Sequence, residues 1–339
     1  MTLAVNIAQS GSSNVTFRNR IINGAMVIDQ RNAGASVTPT NSQYLVDRWQ
    51  AALNAASKFT VQQNAGSVTP PTGFSNYLGC TSSSAYSVPA SETYAVRQMV
   101  EGFNFADMAW GTASAKTVTL SFWVYSSLTG TFGGALQNSA YTRSYPFSFT
   151  ISSANTWTQI SVTIAGDTTG TWIGATNGAG VRVVFSLGTG STYSGTAGAW
   201  AATEYWSATG ATSVVGTNGA TFYITGVQLE AGTTASPFEY RQYGTELALC
   251  QRYYEVVNAT LGAYVDNGAV DNVRFYIAFK VTKRANPTVT SGSGGSESSG
   301  TWTPAYSGVD VNGTNCSSVI GSTITRPYIN APIIASIEL

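Results

Sequence analysis

Apolar residues recur at every second position along much of this chain, the pattern of strands with one buried face. In 117–125, Val118, Leu120, Phe122 and Val124 point one way while Thr117, Thr119 and Ser121 point the other. Phe147, Phe149 and Ile151 repeat the pattern, as do Ile160, Val162 and Ile164, and then Val181, Val183, Phe185 and Leu187. Glycine-rich clusters at 130–134, 166–170 and 177–180 separate these runs and read as turns. Short strands at this spacing predict an antiparallel, all-β sandwich. One run slips phase: Phe222 and Ile224 share a face, Val227 and Leu229 take the other, and Gly226 sits between them. A β-bulge at Gly226 is expected, letting the strand change which side is buried.

Alternation stops over 230–243, a linker that contains Pro237. Thr245 is placed to cap a short helix from Glu246 to about Arg252, with Leu247, Cys250 and Tyr254 on one stripe. A second β region follows over 274–281, where Phe275, Ile277, Phe279 and Val281 alternate. The Gly/Ser-rich stretch 291–300 reads as a flexible loop.

Composition narrows the function. Charged residues make up 9% of the 339 positions, against roughly 25% in an ordinary soluble domain. Sixteen basic residues balance sixteen acidic ones, so the chain has no electrostatic attraction for nucleic acid or an anionic membrane. Histidine is absent, which removes the commonest general base and zinc ligand. Cys80, Cys250 and Cys316 are too few and too scattered for a disulfide framework or metal clip. They read as buried thiols of a chain folded in a reducing cytoplasm. No metal or cofactor is expected. The N-terminus lacks a signal peptide's basic start and apolar run, and no stretch approaches a membrane span. Release by lysis or within a particle is therefore expected, without membrane insertion.

Two stretches carry a resemblance. The first is Asn19-Arg20-Ile21-Ile22-Asn23-Gly24-Ala25-Met26-Val27-Ile28-Asp29-Gln30-Arg31-Asn32, followed by Tyr44-Leu45-Val46-Asp47-Arg48-Trp49. The second is Gly226-Val227-Gln228-Leu229-Glu230-Ala231-Gly232, then Pro237-Phe238-Glu239-Tyr240-Arg241 and Leu249-Cys250-Gln251-Arg252-Tyr253-Tyr254. Together they resemble bacteriophage tail-fibre and tailspike-like proteins built around a carbohydrate-binding-module-like jelly roll, over most of 19–282. The resemblance implies a β-sandwich, and with the end of alternation it gives a jelly-roll sandwich at 19–243 after an N-terminal arm at 1–18, one candidate for virion attachment. A smaller C-terminal β domain with the short helix then occupies 244–339. It further implies a homotrimer on a virion, made in the host cytoplasm, whose partners are other virion proteins and a host-surface glycan or receptor. Attachment by non-catalytic binding is the expected function. The alternatives are a purely structural virion component (head fibre, collar or cement protein) and, third, a tailspike depolymerase.

No sequence signature marks the carboxylate pair that glycoside hydrolysis needs. Asp107, Asp167, Asp266, Asp271 and Asp310 fall in apparent turns, where Asp serves the backbone. Asp29, Arg31, Asp47, Arg48, Glu230, Arg241 and Arg252 stand beside apolar strand residues and read as structural ion-pair candidates, with ligand contact as the alternative. The stretch between Leu187 and Phe222 has little strand pattern yet carries Tyr193, Trp200, Tyr205 and Trp206. So long an unpatterned segment is either functional or hides a missed element. These four aromatics are the candidate glycan-binding residues. Either they cover an open sheet edge or pack on a neighbouring subunit, or one of them, Trp200 or Trp206, presents its face to a sugar.

Overall fold

The computed structural model describes residues 17–262, 271–292, 296–297, 301–302, 304–321 and 328–339. Nearly all of the arm expected at 1–18, together with Asp266, lies outside the described residues. The chain divides into two compact units. One holds residues up to Val27 and Gly34–Tyr240; the other holds Ile28–Ala33 and Arg241–Leu339.

The first unit starts with β1 (Trp49–Leu53), β2 (Phe59–Gln63), β3 (Leu78–Ser82) and β4 (Thr93–Glu101). It continues through β5 (Val118–Ser126), β6 (Gly130–Gln137), β7 (Ser144–Ile151), β8 (Thr158–Ile164) and β9 (Ala179–Thr189). Two short strands, β10 (Ser194–Gly195) and β11 (Ser207–Ala208), precede the long β12 (Thr221–Ala231). Two five-stranded sheets result, in the orders β1-β4-β9-β6-β7 and β2-β3-β12-β5-β8. Every pairing within them is antiparallel, and the chain passes back and forth between the two. This is a jelly-roll β-sandwich. Its core joins Leu120, Phe122 and Val124 of β5 and Phe222 and Ile224 of β12 to Phe147 and Phe149 of β7 and Val183 and Phe185 of β9. The apolar faces predicted from alternation are the ones that meet.

The register of β12 against β5 does shift between Thr225 and Gln228, around Gly226. The bulge works in the opposite sense to the expectation. Phe222, Ile224, Val227 and Leu229 all belong to the same core, so the extra residue restores the buried face after the slip. Gly226 has φ +60°, and a Cβ there would stand 2.6 Å from the Phe74 ring. Both facts demand glycine.

The reading of 130–134 as a turn is corrected, because these residues open β6. A Cβ on Gly133 would lie 2.4 Å from Ser207 Oγ, and one on Gly134 would lie 2.2 Å from the Val184 carbonyl. Gly133 is there because the segment after β9 crosses close above it, and Gly134 because its neighbours in the sheet, β9 and the Phe147 ring of β7, crowd it; the backbone does not reverse.

The two stretches that carry the family resemblance bond directly to one another, over 200 residues apart. Asn19 Nδ2 donates to the Val227 carbonyl at 3.1 Å and Asn19 Oδ1 accepts from Leu229 N–H at 3.1 Å. Val227 N–H donates to the Gly24 carbonyl, where a side chain on Gly24 would collide with Val227 O at 2.1 Å. Glu239 then accepts from Asn19 N–H at 2.7 Å, while Gln228 Oε1 accepts from Glu239 N–H at 2.8 Å. These motif residues fasten the N-terminal segment along the sandwich.

The second unit contains α1 (Tyr243–Gln251), β13 (Tyr254–Gly262), β14 (Asp271–Ala278) and β15 (Thr288–Ser291). After the short β16 (Ser296–Glu297), β17 (Thr301–Trp302) and β18 (Ala305–Ser307) come β19 (Gly313–Gly321) and β20 (Tyr328–Ser336). β20 pairs with β13, β15 and β16, and β19 pairs with β14, β17 and β18. Helix α1 begins before Thr245, with Gln242 as its N-cap and no side-chain cap bond. The predicted strand 274–281 lies instead at 271–278, so Asp271 opens a strand and is not in a turn. Part of the expected loop at 291–300 is also paired, through Ser296 and Glu297 against β20. Fully buried Lys283 and Glu255 form an ion pair in this unit, and Lys283 Nζ also donates to the Gln251 carbonyl at 2.6 Å.

Candidate functional site

The segment after β9 is not a structureless loop. Ser194 and Gly195 pair in parallel with Ser207 and Ala208, Trp206 N–H donates to the Tyr193 carbonyl, and Ser144 bridges Ala201. Gln137 Nε2 and Ser144 Oγ hold Tyr205 by its carbonyl and its N–H. The segment is thereby fastened over the outer face of the first sheet, on β6 and β7. Packing on that face places Trp206 against Ala52, Ala95 and Val184, with Tyr141 and Tyr193 alongside.

Where this cover stops, a cleft of about 370 Å³ opens, lined by Asn41, Asn54, Thr93, Arg97, Tyr141, Tyr193, Glu204 and Trp206, among others. That volume falls in the usual range for small-ligand sites, roughly 300–1,000 Å³. The Tyr141 and Trp206 rings stack at 5.9 Å with 21° between planes. Tyr141 has φ +59°, a conformation that costs a non-glycine residue about 1 kcal/mol or more. Asn138 enforces it, accepting from Thr142 N–H at 2.9 Å and Arg143 N–H at 3.1 Å.

Two arginines stand in this layer. Arg97 of β4 donates from Nε to Gln50 Oε1 at 2.8 Å and from Nη1 to the Tyr141 hydroxyl at 2.9 Å. Its guanidinium lies 5.2 Å from the Trp206 ring. Arg182 of β9 covers the other aromatic, 3.9 Å above the Tyr141 ring, and donates to the Asn138 carbonyl. Glu204 accepts from the Trp206 indole at 2.8 Å. Asn41 and Asn54 spend their side-chain oxygens on Leu53 N–H (3.1 Å) and Thr93 N–H (2.7 Å). Their NH₂ groups remain in the lining without a protein acceptor.

Of the four candidate aromatics, Tyr193 and Trp206 line the cleft and Trp200 and Tyr205 do not. Trp206 is 7% exposed, so it offers the cleft little of its surface. Trp200 packs elsewhere, edge-on to Trp110 at 5.1 Å and Trp172 at 5.7 Å, with its indole donating to the Ala165 carbonyl. Beside it, Trp110, Trp172 and Phe105 line a smaller cavity of about 240 Å³. The Tyr205 ring lies over Gly195, with ring carbons 2.2 Å from where a Cβ would stand.

None of the ion-pair candidates lines the cleft. Glu230 pairs with Arg18 at 3.5 Å and accepts from Ser236 N–H and Oγ. Arg241 pairs with Glu246 at 3.3 Å and Arg31 with Glu338 at 2.5 Å. Asp29 Oδ1 closes a turn on Asn32 N–H at 3.0 Å, and the Arg252 carbonyl accepts from Arg284 N–H. Asp47 and Arg48 are both buried, Arg48 reaching the Met99 carbonyl at 2.7 Å. Arg97, Arg182, Tyr141 and Glu204 were not singled out from sequence. A signal existed: Arg182 shares its strand face with Val184, opposite Val181, Val183 and Phe185, and a valine on the supposed solvent side points to chain covering that face.

Among the described residues no three His, Cys, Asp or Glu side chains gather as a metal site. No helix among them is long and apolar enough to cross a membrane.

Strand order and cleft together define the class: an all-β jelly-roll sandwich with an aromatic, ligand-sized cleft on one sheet face. Neither a protein-family model nor a curated protein matches the sequence. Among solved structures the chain is similar to a putative sugar binding protein from Bacteroides thetaiotaomicron. That match has TM-score 0.37 and 12% identity over 63% of this chain and 100% of that one. It is also similar to the enzymatically active domain of tailspike protein 4 of bacteriophage CBA120, at 0.34 and 11% over 63% of this chain. Only 21% of the tailspike chain is spanned. A family 11 carbohydrate-binding module from Clostridium thermocellum gives 0.30 and 10% identity, over 59% of this chain and 98% of the module. These scores lie below one half, and the fold class rests on the strand pairing given above.

Proposed function

We propose that this chain is a non-catalytic binding protein of a bacteriophage particle, which attaches the virion to its host by holding a surface glycan or receptor. The observation that carries the binding reading is the cleft. It joins stacked aromatic side chains to amide and guanidinium donors that have no protein acceptor, the combination that suits the apolar faces and hydroxyl rims of sugar rings. The one carboxylate in its lining, Glu204, is engaged by the Trp206 indole. That favours holding a glycan over hydrolysing it, which takes two carboxylates. The virion setting and the homotrimer rest on the resemblance carried by 19–32 and 226–254.

A glycan array probed with the purified chain tests the reading, followed by calorimetric titration of the hits. Tyr193→Ala removes a half-buried ring from the cleft rim, and binding should weaken severalfold with little change in Tm. An array and a host-cell adhesion assay that both stay blank would refute attachment and leave a structural virion role. Release of oligosaccharides from host polysaccharide would refute the non-catalytic reading.

A further inference from the structure

The charges under the cleft do not balance. Arg97 is 7% exposed and Arg182 8%, so both residues are more than nine-tenths buried. Arg97 donates from Nε and Nη1 alone, and Arg182 Nε is buried without a hydrogen-bond partner. The acid that acts on Arg182 is Glu204. Burial pulls the Arg182 guanidinium below its ordinary value, and the Arg97 charge pushes in the same direction while Glu204 opposes it. Two positive groups and one negative leave a single uncompensated positive charge at the floor of the cleft. A lone buried charge is costly to keep, and the tyrosine ring between the arginines relieves only part of the cost.

We infer that the cleft takes a glycan bearing one carboxylate per recognised unit, a uronic- or sialic-type sugar, with the carboxylate on Arg97 and the ring beside Trp206. This rests on the proposal that the cleft is the glycan site. One carboxylate brings the layer to neutrality, whereas a phosphate monoester, at about −1.5 to −2 near neutral pH, overshoots it. The remaining donors fit as well. Arg97 lines the cleft with Nη2 outside its two bonds to Gln50 and Tyr141, and the NH₂ groups of Asn41 and Asn54 are available to hydroxyls.

The test needs no variant at first. Neutral, carboxylated and sulfated oligosaccharides are arrayed, and each carboxylated hit is assayed again after conversion to its methyl ester. The expected hits are carboxylated, lose at least about tenfold in affinity as esters, as befits a charge-assisted hydrogen bond, and weaken with added salt. Arg97→Gln should reproduce that loss on the free acid and bring the acid and its ester to similar affinity, which a loss of packing alone would not do. Hits that are neutral, sulfated only, or indifferent to esterification overturn the carboxylate and leave glycan binding standing. An array with no hit overturns both.

Discussion

Asp167 illustrates how a residue that looks catalytic from its type is used to hold the frame. It lies 2% exposed, takes both prongs of the Arg143 guanidinium at 2.7 Å, and accepts from Thr169 N–H and the Trp172 indole at 3.2 Å. Burial alone would raise its pKa, but these donors together outweigh burial and hold the carboxylate below its usual 3.8. A lowered folded-state pKa stabilises the fold above the unfolded value, and that contribution is lost as pH falls through the folded one. Asp167→Asn should therefore cost about 3 kcal/mol near neutral pH, roughly 6–12 °C in Tm for a unit this size. The gap should close in acid. Equal melting curves near pH 7 would show that the bidentate contact contributes nothing. Trp200→Ala gives a complementary outcome. Its ring is spent on Trp110 and Trp172, so Tm should fall by an amount corresponding to about 2–3 kcal/mol, and ligand affinity in the cleft should stay unchanged. From sequence, Trp200 and Trp206 were equivalent; only the path of the covering segment separates them.

Among the elements, strands were legible because each sheet has one buried face, and a period of two cannot then be mistaken. β5, β7 and β9 carry that pattern in full. What hid were the places where two layers of chain touch. β6 carries glycine where other segments approach it, so its composition imitates a turn. Residues 188–220 lie over a sheet face through backbone pairing and single side chains, which leaves no periodicity to read. The bulge in β12 was visible as a phase slip, although its direction needed the register. It makes a sharp prediction. Gly226 and Gly219 both have positive φ, at +60° and +74°, but only Gly226 has neighbours in the way of a Cβ. Gly219→Ala should show backbone strain alone, about 1 kcal/mol, while Gly226→Ala adds a clash with Phe74 and Trp123 and loses clearly more. Equal losses in denaturant melts would mean that the bulge, and not the packing around it, selects glycine.

For the whole molecule, the homotrimer proposal predicts three times the mass of the 35.5 kDa chain in light scattering at micromolar concentration. A monomer there would count against it. The division into units makes a second prediction, from the six residues Ile28–Ala33 that belong to the C-terminal unit. Within it, Arg31 pairs with Glu338 at 2.5 Å and sits 3.6 Å above the Tyr254 ring, and Gln30 donates to the Tyr254 carbonyl at 3.1 Å. A fragment ending at Tyr243 keeps both five-stranded sheets and should melt cooperatively. A fragment starting at Arg241 lacks this hexapeptide and should fold poorly unless a peptide spanning it is added back; unaided folding would show the hexapeptide to be ornamental. The backbone thus passes between the two units three times, at 27/28, 33/34 and 240/241, where simple beads on a string would pass once. Recombination with a single breakpoint can then hand on the sandwich, but not its companion. In lineage and in engineering alike, the C-terminal unit is no exchangeable cassette: it has to travel with the segment that starts the jelly roll.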